Sequence, residues 1–141
     1  MMKFQSLRFA LLLILAGCAT TYTKQGFWGD GFNDSQLSND TFSVTFEGNG
    51  YTSDSRARDF MLLRCADLTL EHQAKFFRLV GTADDSKNGA AMLMNGNTAF
   101  MAPIHFPSTS ATIQVRQDKE GPQDFDAGII ATSMRAKYGI K

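Results

Sequence analysis

The stretch Asp54–His72, DSRARDFMLLRCADLTLEH, leaves this chain the fewest ways to fold. Ala57, Phe60, Met61, Cys65 and Leu68 recur at helical spacing, and Leu62, Leu63, Ala66 and Leu70 widen that stripe almost to a full circle. A helix so apolar has to be covered on more than one side. Thr52 or Ser53 offers a capping hydroxyl, and Asp54 suits the positive first turn. Arg56, Asp59, Arg64, Asp67 and Glu71 share the narrow strip that remains. Asp67 with Glu71, or Asp59 with Glu71, resembles a paired-carboxylate site. Solvated ion pairs with Arg64 or Lys75 account for the same residues without chemistry.

The cover is read from alternation. In TFSVTFEG, Thr41–Gly48, the residues Phe42, Val44 and Phe46 alternate with polar ones, the period of a strand with one buried face. GNG at Gly48–Gly50 ends it, since glycine permits the positive φ of a sharp turn. No G-x-x-x-x-G-K follows, so this is no phosphate loop. KFFRLVG, Lys75–Gly81, reads as a second strand with Phe77 and Leu79 on one face. ATIQVRQ, Ala111–Gln117, reads as a third with Ile113 and Val115 inward. A helix is expected over Phe125–Tyr138, capped by Asp124 and stopped at Gly139, with Arg135 and Lys137 at its negative end.

Between Gly81 and Ser110 the periodicity fails, which implies a loop of about 30 residues, long for a compact domain. Within it Met92–Met94 and Thr98–Met101 can pair as a hairpin across NGN. The expected fold is α+β. It is a small two-layer sandwich, a three- to four-stranded sheet with two helices on one face, in the order β-α-β-(long loop)-β-α. The unit Thr41–Val80 should cross over right-handed if its strands are parallel.

Ahead of this domain, Phe9–Leu15 is a short apolar run behind Lys3 and Arg8. A bilayer-spanning helix needs about 20 residues. A positive start, a short apolar middle and a small-residue end make a secretory signal peptide. Leu15-Ala16-Gly17-Cys18 resembles a bacterial lipobox, with Leu15, Ala16 and Gly17 as the peptidase recognition residues. Cys18 is the nucleophile that takes a diacylglyceryl thioether. Cleavage before Cys18 frees an amine for a further acyl chain, and two or more chains anchor stably. Residues 1–17 are thus expected to be the signal peptide, 18–39 a lipidated N-terminus, tether and irregular segment, and 40–141 a single domain. Ala19 rather than Asp at the second position favours the outer membrane, facing the periplasm. In the tether, Phe27, Trp28 and Phe32 are read as lids tucked onto the core. Left bare, such rings suit carbohydrate stacking or a membrane surface.

Removing residues 1–17 leaves 124 residues, with 12 basic side chains against 14 acidic ones. Without a basic stripe, nucleic acid is not an expected partner. If Cys18 carries lipid, Cys65 has no partner in the chain. Its apolar neighbours favour a buried hydrophobe over a reactive thiol. The histidines are His72 and His105 alone, no G-x-S-x-G surrounds a serine, and Cys65 and His72 lie about 10 Å apart along one helix. No catalytic residues and no cofactor are therefore assigned. Met92, Met94, Met101 and His105 would suit Cu(I), yet methionines also fill irregular cores, and no metal is assigned. Segment 81–110 still carries Met92, Met94, Phe100, Met101, His105 and Phe106, with Pro103 and Pro107 stiffening IHF. It is expected to be less ordered than the rest and to present these residues to an envelope protein partner, or to complete the sheet as an extra hairpin.

The segments LAGC, GFWGDGFNDSQL, FSVTFEGNGYTS and DFMLLRCADLTLEHQAKFF are similar to those of a family of uncharacterised proteobacterial lipoproteins, over Gly26–Leu79. The resemblance implies a Gly-, Ser- or Thr-rich variable segment, then a strand and a terminal helix. AAMLMNG departs from that composition. The family supplies no catalytic residues. The expectation is a lipid-anchored envelope protein that binds or supports rather than catalyses. A ligand- or soft-metal-binding module using 81–110 is the alternative, and an unrecognised enzyme the third reading.

Overall fold

The computed structural model describes residues 19–95 and 98–141, with 89–95 and 98–103 described by their backbone alone. The strands are β1 (Gly31–Gln36), β2 (Thr41–Glu47), β3 (Phe76–Asp84), β4 (Lys87–Asn95), β5 (Thr98–Phe106), β6 (Ser108–Arg116) and β7 (Asp124–Asp126). The helices are α1 (Asp54–Glu71) and α2 (Ala127–Tyr138). The fold is α+β, as expected. The sheet is larger than expected: five antiparallel strands in the order β1-β2-β6-β3-β7, with β4 and β5 forming a separate two-stranded sheet. Strands β2 and β3 run parallel, but β6 lies between them and is antiparallel to both. The β2-α1-β3 crossover is therefore split by β6, which returns after the arm to lie between the two parallel strands.

Two strands escaped the alternation rule. β1 lies in the segment read as irregular. Its sequence GFNDSQ carries one large apolar residue, Phe32, placed opposite Phe46, and as an edge strand it pairs with β2 alone among the strands, its outer side meeting the chain only in a bridge at Lys24. β7 occupies what was expected to be the first turn of the last helix. Phe125 pairs with Phe77 across strands, their rings stacked 5.4 Å apart. The cap moves accordingly: Asp126, not Asp124, accepts from the Ile129 N–H at 3.0 Å. Asp124 is instead buried, 2.7 Å from Arg78 Nε, and accepts from the Glu120 and Gly121 N–H groups. The Arg78 guanidinium first, with help from the Gly121 N–H and against the cost of burial, holds its carboxyl below the usual range.

α1 is capped by Ser53, which accepts from the Arg56 N–H. Its buried side, Phe60, Leu63, Cys65 and Ala66, meets Phe42, Val44, Phe46, Phe77 and Ile113 of the sheet. Ala127 and Ala131 of α2 close the cluster. The helix is covered on two sides, by sheet and by α2. Each carboxylate of its polar strip takes its own cation. Arg64 pairs with Asp34 and Glu71, both at 2.7 Å, Asp67 with Arg135 at 2.8 Å, and Asp59 with Lys137 at 2.6 Å. The paired-carboxylate reading falls with this arrangement, and Arg135 and Lys137 take the place expected of Lys75.

The positive φ that glycine would permit at Gly48 and Gly50 is not used at either position. They are small because neighbours press on them. A Cβ on Gly48 would sit 2.7 Å from Thr52 Cβ, and one on Gly50 would sit 2.8 Å from Ile104 Cγ2. Gly139 does take the left-handed conformation, φ 64°, and stops α2 as expected.

Candidate functional site

Segment 81–110 is no loop. β3 and β6 pair as far as Asp84 opposite Thr109. The chain then breaks register around Asp85, Ser86 and Pro107, and the two strands pair again as β4 and β5, from Lys87 opposite Phe106 to Asn95 opposite Thr98. The hairpin across NGN is thus present and longer than the sequence suggested. It does not complete the main sheet but continues one of its strand pairs as an arm of nine residues a strand. At 3.3–3.4 Å per residue such an arm reaches about 30 Å. Register sets Met92 opposite Met101 and Leu93 opposite Phe100. The side chains of Met92, Met94, Phe100 and Met101 lie outside the described residues, as do Leu15, Ala16, Gly17 and Cys18 entirely.

The base of the arm is fastened to α1. His105 Nε2 lies 2.7 Å from Asp54 Oδ1, and His105 Nδ1 lies 2.8 Å from Asn88 Oδ1. Asp54 opens α1, so His105 ties arm to helix through the first turn. Below this link a groove of about 320 Å³ runs between α1 and the sheet, floored by Ala57, Met61, Leu62 and Leu79 and rimmed by Arg58 and Asp84. Its hydroxyl at Ser86 is bonded to Asp84 and Ser108, and both nitrogens of His105 are already engaged. In the arm, His105 is four strand residues from Met101, about 13 Å along the backbone. Among the described residues no three His, Cys, Asp or Glu cluster as metal ligands.

The aromatic residues of the N-terminal segment divide. Phe32 packs against the core, 4.9 Å ring to ring from Tyr22, with Arg64 over its face. Phe27 and Trp28 are not lids: they are 95% and 89% exposed, edge to face at 5.6 Å. The signal was in the letters around them. Gly26, Gly29 and Gly31 frame a tight turn, with Gly29 at φ 83° and Gly31 at φ 117°. The Gly29 N–H donates to Gly26 O, and the Gly26 N–H to Asp30 O. The two rings stand at its tip. Trp28 and Phe106 both line a cleft of about 500 Å³, shared with Asp30, Glu47, Asn49 and Lys87.

The segment expected to be a tether is fastened down. Thr20 is buried. Its N–H donates to Thr52 Oγ1 at 2.9 Å, its hydroxyl donates to Asp30 Oδ2 at 3.2 Å, and it accepts from the Asn49 N–H at 2.8 Å. The Tyr22 hydroxyl donates to Asp67 Oδ2 at 2.6 Å.

Cys65 is fully buried, and burial pushes its thiol up to about 12. A thiolate is thus scarce at neutral pH, and the group packs as a hydrophobe. A thiol reagent is expected to label it slowly in native protein and rapidly in denaturant. Fast native labelling would restore the reactive reading.

Among the described residues no helix is long and apolar enough to cross a membrane. Compared with known proteins, the chain matches no protein family, no curated protein and no solved structure.

Proposed function

We propose that this chain is a lipid-anchored bacterial envelope protein that works by binding, with the β4–β5 arm as its contact element. The observation that carries the binding reading is the arm itself. It pairs within its own two-stranded sheet, and from Asn88 to Val115 the chain contains no Asp, Glu, Lys or Arg. An uncharged, Met- and Ala-rich ribbon extended from a domain is a surface that a partner has reason to cover. The lipobox, Leu15-Ala16-Gly17-Cys18, supports the anchor, and Ala19 favours the outer membrane.

The test separates arm from anchor. Replacing residues 89–104 by a two-residue Asn-Gly turn is expected to leave the five-stranded sheet intact, because its pairings all lie outside the arm. The shortened protein is expected to melt as before and to lose the cross-linked envelope partner that a photoreactive residue at Met92 or Met101 traps in the full protein. A cross-link that persists without the arm places the contact elsewhere. Collapse of the fold would show that the arm belongs to the core. Separately, Cys18→Ser is expected to abolish the lipid adduct and shift the protein out of the detergent phase.

A further inference from the structure

The Thr20 pin and the bare aromatic pair lie at one end of the domain, and together they orient it. Thr20 is held by Asn49, Thr52 and Asp30. Asp30 and Asn49 are also walls of the cleft that Trp28 and Phe106 line. Tyr51, 77% exposed, stands in the same Asn49–Thr52 loop. One residue, Ala19, separates Thr20 from Cys18. Two extended residues span about 7 Å. A lipid on Cys18 therefore leaves the domain beside these rings and has no slack to carry them away from the bilayer.

We propose that this end of the domain rests on the bilayer that holds the Cys18 lipid, with Phe27, Trp28 and Tyr51 seated among the headgroups. The proposal builds on the lipid-anchor reading. Trp28 and Tyr51, with an apolar body and a polar edge, favour that depth, and Phe27 beside them adds apolar area. The turn holding Phe27 and Trp28 is closed by its own hydrogen bonds, and Gln25 Nε2 donates to Gly29 O at 2.7 Å, so the rings are presented without an ordering cost at contact. Charge does not drive the contact: Asp30 and Glu47 face a single Lys87 in the cleft. Seating is therefore expected on zwitterionic lipid and at high salt alike. A sugar-stacking platform fits less well, because the two rings meet edge to face at the tip of a turn and Phe27 lies outside the cleft.

Trp28 is the sole tryptophan of the sequence, so its emission reports this surface alone. Mature protein, with the Cys18 adduct verified by mass, is placed in phosphatidylcholine vesicles. Trp28 emission is expected to shift to the blue and to lose most of its intensity when the lipids are brominated near the top of their acyl chains. It should also resist aqueous iodide. Trp28→Phe with Phe27→Trp should behave in the same way, since both rings face the bilayer. Lipidated protein whose Trp28 stays iodide-quenched and blind to brominated lipid overturns the proposal and leaves the anchor standing. Quenching that requires added peptidoglycan fragments overturns it as well, in favour of a sugar surface. Absence of the mass adduct overturns the anchor reading and the proposal with it.

Discussion

Phe60→Ala is expected to lower the stability of the domain by about 4 kcal/mol, the middle of the range for truncating a buried ring. Phe60 is 1% exposed and is the point where four parts of the chain meet. Tyr22 of the N-terminal segment lies 5.6 Å from its ring, Phe46 of β2 at 5.3 Å and Tyr138 of α2 at 4.8 Å. The Arg56 guanidinium sits 5.0 Å over the Phe60 ring and 5.2 Å over Tyr138. Alanine there leaves a cavity that no single neighbour can fill, because each is fixed by a different element. Since domains of this size hold about 5–15 kcal/mol in all, the variant should lie near the edge of folding. Urea unfolding would show the midpoint fall sharply with the slope retained. Phe60→Leu should cost about 1–2 kcal/mol by keeping most of the volume. Equal midpoints for wild type and alanine variant would mean that the rings close over the gap.

Asp67→Ala is expected to cost about 2–3 kcal/mol, because it removes one carboxylate that serves two partners. Arg135 of α2 reaches Asp67 with two nitrogens, at 2.8 and 2.9 Å, and Tyr22 donates to it at 2.6 Å. The carboxylate is 13% exposed and Arg135 33%, so solvent screens the pair in part, which keeps the figure below that of a fully buried one. Burial first, then the hydrogen bond to Asp67, holds the Tyr22 hydroxyl well above its ordinary pKa, so it stays protonated and donating. A double-mutant cycle of Asp67→Ala with Tyr22→Phe should show coupling, and the single Asp67 variant should become sensitive to proteolysis near Lys24. Additive effects would show that the N-terminal segment is held independently of α1.

The elements legible in the sequence were those with one wet and one dry face. β2 announced itself by Phe42, Val44 and Phe46, all buried, and α1 by a stripe that the structure buries nearly as written. What escaped lacked that contrast. β1 has a single large apolar residue, and β7 has three residues, too few for a period to show. The arm has the opposite difficulty: apolar residues on both faces erase alternation, so a regular strand pair read as a loop. At the candidate surface, the hairpin turn NGN was readable from its letters. The fastening of His105 to Asp54 joins residues 51 positions apart, and no local pattern carries it. Phe27 and Trp28 were misjudged because size alone was weighed, and the glycines that lift them from the core were not.

The single residue between Cys18 and the pinned Thr20 also sets a range of action. A flexible leash of n residues lets a domain wander about 5–6 Å × √n from its anchor. On the anchor reading this domain has no leash, and its farthest reach is that of the arm. On that reading a partner held in the same membrane is met by a search in a plane, governed by how densely both molecules populate that surface.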